Sequence, residues 1–344
     1  MKSILTTPFN PISSKLSSHR AAQGVIYADQ LVQQGEDVVV SMSKDTDYSP
    51  YDKMFIYHGN DWFGTLNLFG GVKEFAAIKN FVNFSKFTGK VYSLIIPCPD
   101  YHTMLQERMK GEYHLDWNDV DWDNLKKIQA EAEVVIPGNA YKNISIGDSH
   151  AICLYRPGWI NNSNPFKTLH GALKTGLDSF LTHDSYQHIE YYFGNIDVRH
   201  HLLRQSDPTQ ATKDLVAEYV KQAKNLSESF NCQVSLYELL PIENESRSLP
   251  KTGYYKGTPF SGTQQERDVI RRLFKDELKL LTGSINGVNV IEWVDKMIND
   301  KGELDFKFME KPKSVHLSRE YYPHWQGLVY NSVKPTASLE SFFT

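Results

Sequence analysis

One stretch constrains this chain more than any other: Asn143-Ile144-Ser145-Ile146-Gly147-Asp148-Ser149-His150. Apolar and small residues climb to a glycine in the pattern of a buried strand, and a carboxylate, a hydroxyl and an imidazole follow at once. Val134 to Ile136, just upstream, is a second buried-strand signal. A strand that ends this way belongs in an α/β sheet, with its chemistry at the carboxyl end, where ligands sit in open sheets. Gly147 lets the backbone turn sharply and leaves the Ser149 hydroxyl exposed.

The rest of the chain alternates in the same style. Ser3 to Thr6 reads as a strand, residues 17–31 as a helix ended by Gly35, and Val38 to Val40 as the next strand, which together make a βαβ unit. Met54 to Tyr57 and Val91 to Ile96 read as strands, with helices at 75–84 and 125–132. Beyond Ser149 the expectation is a loop over 156–165 and a helical piece holding Gly171 and Gly176. A strand at 189–193, a helix at 212–230, a strand at 232–239 and a polar loop over 243–263 follow. A helix at 264–281 and short strands or strand–helix pieces at 288–293 and 304–309 complete it. Such alternation predicts an α/β class: two Rossmann- or flavodoxin-like domains with mainly parallel sheets. The expected boundaries are 1–138, 139–330 and a tail over 331–344. No internal repeat is visible.

The composition is that of a globular protein, 40% hydrophobic and 23% charged with net charge -4, which argues against a large basic nucleic-acid surface. Three cysteines, Cys98, Cys153 and Cys232, are odd in number and far apart, so neither a disulfide framework nor a metal site is expected. No apolar run reaches the length of a membrane span or a signal peptide. The expectation is a cytoplasmic protein (host cytoplasm if phage-encoded) with no membrane partner and no required cofactor.

Two stretches can complete the chemistry of Ser149. A serine hydroxyl needs a base within hydrogen-bond reach, and His316, in Val315-His316-Leu317-Ser318, is placed late in the chain where a base would enter. Asp148 can orient such an imidazole. The structural alternative has Ser149 capping a helix and His316 on the surface. The second stretch is Gly194-Asn195-Ile196-Asp197-Val198-Arg199-His200-His201, at the end of an apolar strand. Arg199 suits a carboxylate or phosphate, or pairs with Asp197 to hold the loop. His150, His200 and His201 join Gly147, Gly194 and Asn195 as candidate ligand contacts. His58, Asn60 and Asp61, in the loop after the third strand, are candidates for a cleft rim.

Together these three blocks resemble the SGNH/GDSL hydrolase superfamily over about residues 140 to 325. The middle block is similar to a subgroup carrying Phe-Gly-Glu-Ile-Asp-Cys-Arg-x-His. The resemblance implies an SGNH-like second domain, Ser149 as nucleophile and His316 as base. It also implies an oxyanion hole built from the Ser149 backbone and Gly171 or Gly176. The family's Asp three residues before the His is Lys313 here, and its oxyanion Asn falls at Ile196, with Asn195 one place early. The result is a Ser149–His316 dyad unless Asp148 or Asp197 supplies the carboxylate, in a hydrolase or transferase acting on an acylated or glycosylated substrate.

Thr336 to Phe343 resembles a sliding-clamp-binding peptide, with Leu339, Phe342 and Phe343 as the anchors. That resemblance implies a clamp partner and DNA nearby. It supports an alternative function: a GT-B-like glycosyltransferase that carries a nucleotide-sugar donor, holds its diphosphate with Arg199, and modifies a phage-type DNA base. A further alternative, motivated by Lys313 and Ile196, is an inactive SGNH-like module that only binds a ligand or a clamp; the substrate expected of the active readings is a small molecule, glycan or modified nucleotide.

Overall fold

A computed structural model describes residues 2–6, 19–41, 47–56, 86–94, 133–135, 141–164, 167–247, 260–310 and 313–326, with isolated positions between them. Two compact units divide the chain, one of Met1–Leu16, Arg20–Asn139 and Gly327–Thr344 and one of Ser17–His19 and Ala140–Gln326.

In the first unit, β1 (Ser3–Thr6), β2 (Val38–Ser41), β3 (Lys53–Ile56), β4 (Lys90–Leu94) and β5 (Glu133–Val135) form one sheet in the order β2-β1-β3-β4-β5. Every pairing is parallel. Helix α1 (His19–Gln33) connects β1 to β2, burying Ile26, Tyr27 and Leu31, and Gly35 follows with φ of +87°, a conformation open to glycine at no steric cost. The helix expected at 75–84, the loop carrying His58, Asn60 and Asp61, and the tail with Leu339, Phe342 and Phe343 lie outside the described residues.

The second unit repeats the arrangement. Strands β6 (Asn143–Gly147), β7 (Ile160–Ser163), β8 (His188–Tyr192), β9 (Gln233–Tyr237) and β10 (Val288–Ile291) form a parallel sheet in the order β10-β9-β8-β6-β7. Counted from its own first strand, each sheet runs 2-1-3-4-5, the flavodoxin-like order. The expected pair of parallel α/β sheets is thus what the chain forms. In the second unit the order reverses between β6 and β8, whose ends are in register at Gly147 and Tyr192. A crevice at such a reversal is where this architecture holds ligands.

Helices α2 (Leu169–Thr175), α3 (Asn195–His200), α4 (Pro208–Phe230) and α5 (Gln264–Thr282) fill out the unit. The long α4 starts four residues before the expected Thr212, because Asp207 caps it and Pro208 takes its first turn. Val216, Tyr219, Val220, Ala223 and Leu226 make its buried stripe. A capping box of Thr263 and Glu266 starts α5. The two helices pack on each other, α4 also on β9 and β10 and α5 on β10.

Three local expectations are corrected. The loop expected over 156–165 contains β7, whose Ile160-Asn161-Asn162-Ser163 is fully buried. Asparagine side chains disguise it: Asn161 Nδ2 donates to Ser145 Oγ at 3.0 Å and to the Ala151 carbonyl at 2.9 Å, and Asn162 Nδ2 to the Phe180 carbonyl. Residues 195–200 are helical rather than loop. The short strand or strand–helix piece expected at 304–309 is a 3₁₀ turn, Phe306–Phe308, flanked by single antiparallel bridges at Ile298–Leu304 and Met309–Leu317.

Candidate active site

β6 delivers Ser149 through a tight exit. A Cβ at Gly147 would collide with the Tyr192 carbonyl and the Ala151 side chain, so glycine is what lets β6 and β8 approach here. Asp148, not Ser149, caps the 3₁₀ turn Ser149–Leu154 that follows. Asp148 Oδ1 accepts from the His150 amide and from His150 Nδ1, each at 2.8 Å. A carboxylate only accepts, so the imidazole proton sits on Nδ1 and Nε2 is a bare acceptor. That Nε2 is buried with no hydrogen-bond partner among the described residues. Burial pushes the His150 pKa down and outweighs the pull of Asp148. Asp148 therefore orients His150, not His316.

The turn leaves the Ser149 hydroxyl facing one side chain in particular. His316 Nε2 lies 2.8 Å from Ser149 Oγ, and its ring is 4.9 Å from that of His150. Ser149 and His316, expected as a pair, stand in contact. His316 sits on an irregular ribbon: the Glu310 amide donates to the His316 carbonyl at 2.9 Å, and Ser318 to the Phe308 carbonyl. Glu310 Oε1 lies 3.7 Å from His316 Nδ1. Nothing in the sequence motifs singled out Glu310; the cue was a carboxylate six residues before the histidine across a turn.

The middle block divides by role. Gly194, with φ of +113°, ends β8 and starts α3. Asn195 follows, fully buried, with its side-chain oxygen accepting from Arg199 Nη1 at 3.3 Å. Its Nδ2 is buried and is directed toward the Tyr192 hydroxyl, whose pKa the amide lowers against the larger upward push of burial. Asp197 accepts from the Leu169 and His170 amides at 2.7 and 3.1 Å, so it caps α2 and is not the carboxylate of His316. Burial raises its pKa to about 6 against those two hydrogen bonds.

Arg199 is neither a partner of Asp197 nor turned to the crevice. Its Nε donates to Glu243 at 2.8 Å, Nη1 to the Asn195 carbonyl and side-chain oxygen, and Nη2 to the Pro241 carbonyl at 3.1 Å. Arg247 pairs with the same Glu243. Burial pushes the Glu243 carboxyl up, but the two arginines prevail and hold it at about 2. The guanidinium proposed for a donor diphosphate is thus committed to protein acceptors. His200 lies against Arg247 and the Phe260 ring, and burial together with Arg247 and Arg199 lowers its pKa to about 3. His201 ends α3 beside a cleft of about 580 Å³ that is also lined by His170 and Asp197 but not by Ser149 or His316.

The glycines expected in the oxyanion hole are both engaged. The Gly171 amide donates to Thr168 Oγ1 inside the α2 cap, and the Gly176 amide to the Ala172 carbonyl. The Ser149 amide, at the first position of its turn, has no acceptor within the turn.

No family model and no curated protein matches the chain. Solved structures similar to it include a GDSL-like lipase from Bacteroides thetaiotaomicron, at 13% identity and TM-score 0.37, covering 53% of this chain and 82% of that one. A member of the lipolytic G-D-S-L family from Veillonella parvula matches at 14% identity and TM-score 0.32, over 52% of this chain and 90% of that one. The C-terminal domain of Drosophila Oskar matches at 14% and 0.32, over 49% and 75%.

Among the described residues no group of three His, Cys, Asp or Glu side chains is placed to hold a metal ion. No described helix is long and apolar enough to cross a membrane.

Proposed function

We propose that the second unit is a serine hydrolase that cleaves or transfers an acyl group on a small ester substrate. One observation carries the reading: the 2.8 Å contact between Ser149 Oγ and His316 Nε2, at the strand-order reversal of a parallel sheet. As Ser149 Oγ bonds to the substrate carbonyl carbon, its proton passes to His316 Nε2. The carbonyl oxygen becomes an oxyanion, which the Ser149 amide and Asn195 Nδ2 stabilise. When the intermediate collapses, the leaving alcohol takes the proton from His316 and the acyl group stays on Ser149. Water, or an acceptor alcohol, then repeats the sequence and frees the serine. No cofactor enters any step.

The resemblance to SGNH/GDSL hydrolases supports the same roles for Ser149 and His316. Asn195, one place from the family's position, carries the amide donor that Ile196 lacks, which is the kind of group such a hole needs. The glycosyltransferase reading loses its proposed diphosphate ligand in Arg199, and the clamp-like tail lies outside the described residues.

The test is hydrolysis of a short-chain p-nitrophenyl ester by the full chain. Turnover is expected, falling to background in Ser149→Ala at an unchanged melting temperature. Turnover that persists in Ser149→Ala, or a wild-type chain inert to every short-chain ester, removes the reading.

A further inference from the structure

The position that holds the base-orienting carboxylate in the resembling family is a lysine here, and the two aspartates of the site motifs are engaged elsewhere. Asp148 holds His150, and Asp197 caps α2. Lys313 itself is exposed and left-handed, with φ of +66°, a conformation few side-chain-bearing residues adopt. It lies between Glu310 and His316, which meet across the ribbon.

The ribbon brings Glu310 into play. Met309 and Leu317 form an antiparallel bridge, and the Glu310 amide donates to the His316 carbonyl. Residues 310 and 316 are then directly opposed on the ribbon, and opposed residues of an antiparallel pair project to the same face. Ser314 ties the two together: its Oγ donates to Glu310 Oε1 at 2.9 Å and accepts from the His316 amide at 3.2 Å. Glu310 Oε1 ends 3.7 Å from His316 Nδ1, on the side of the ring away from Ser149. The Glu310 side chain is only 8% exposed, so the pair is shielded from bulk water.

We infer that Glu310 is the positioning carboxylate of His316, the third member of a Ser149–His316–Glu310 relay in which the acid enters from six residues before the base by cross-strand register. This rests on the serine-hydrolase reading of the site. When the Ser149 proton moves to Nε2, the positive charge that forms on the imidazole faces the ionised Glu310 carboxylate through Nδ1–H. Glu310 keeps its charge throughout and takes no proton. The 3.7 Å separation is longer than a hydrogen bond, as catalytic contacts often are before substrate binds.

The experiment follows covalent labelling of Ser149 by a fluorophosphonate, in which Oγ bonds to phosphorus, fluoride leaves and the serine proton goes to His316. Wild type, Ser149→Ala, Glu310→Gln and Glu310→Asp are compared as full chains, with melting temperatures. Gln keeps an oxygen for Ser314 Oγ and removes the charge, so the fold is expected to hold. Labelling of wild type, none of Ser149→Ala, a Glu310→Gln rate down by about 10²-fold or more, and partial recovery in Glu310→Asp support the relay. Wild type labelled and Glu310→Gln labelled within about threefold of it overturns Glu310 alone. The same holds if Glu310→Asp is as slow as Glu310→Gln at equal stability. An unlabelled wild type overturns the serine-hydrolase reading and the relay with it.

Discussion

Arg199 reaches back four residues to Asn195, donating through Nη1 to its side-chain oxygen at 3.3 Å and to its carbonyl at 3.2 Å. Because the oxygen end of the amide is held, the nitrogen end is buried and turned away from Arg199, toward the Tyr192 hydroxyl. Asn195→Ala should lower kcat for ester hydrolysis by about 10²–10³-fold with little change in KM, since the donor matters only once the oxyanion has formed. Steady-state kinetics decide it; a loss of kcat under about tenfold would take Asn195 out of the oxyanion hole.

Ser149 and His316 act as one unit in the proposed reaction, so their losses should not add. Ser149→Ala, His316→Ala and the double variant are expected to share the same residual rate, because a base without its nucleophile does nothing. A double variant that is slower than either single one by the product of their effects would mean that the two side chains serve separate steps.

Acidification should weaken the fold from about pH 6.5 downward. Burial, helped by neighbouring arginines, lowers His200 to about 3 and His188 and His324 to about 4. Below their ordinary value of 6.5 the unfolded chain takes up these protons and the folded chain does not, so stability falls as pH falls. Asp197 works the other way. Raised to about 6 from 3.8, it binds its proton more tightly when folded and offsets part of the loss between those values. Three imidazoles outweigh one carboxyl, so the melting temperature should drop between pH 7 and pH 4.5, and less steeply in His200→Gln. A flat profile over that range contradicts the burial of these rings.

Gly147→Ala should destabilise by about 3 kcal/mol, a typical cost of forcing a methyl into a packed site. Its Cβ would meet the Tyr192 backbone carbonyl, which cannot swing aside as a side-chain tip can. The urea midpoint of the variant measures this, and an unchanged midpoint would show that β6 and β8 can separate at their ends.

The long amphipathic helices and the apolar strands were legible in the sequence because period and composition agree, as in α4, α5 and β8. Ser149 and His316 were legible because each follows a structural punctuation mark, Gly147 before one and a short apolar run around the other. β7 was not, because Asn161 and Asn162 read as loop residues, and only the folded chain shows their amides satisfying buried carbonyls and a hydroxyl. Asp148 and Arg199 were misassigned for a related reason: a charged side chain in a motif says nothing about which neighbour claims it. Glu310 escaped because its meeting with His316 depends on cross-strand register, a relation that no linear spacing rule encodes.

Ser149 and His316 are 167 positions apart in the chain. A chain that has emerged from the ribosome only as far as β10 can complete the sheet and its turn, yet it carries a serine with no base. Closing so long a loop is entropically slow to nucleate and comes late in assembly. If the proposed dyad holds, reactivity of Ser149 toward a serine-directed probe would be a timer for biosynthesis, silent on partial chains that end before His316 and switched on when the segment bearing it docks.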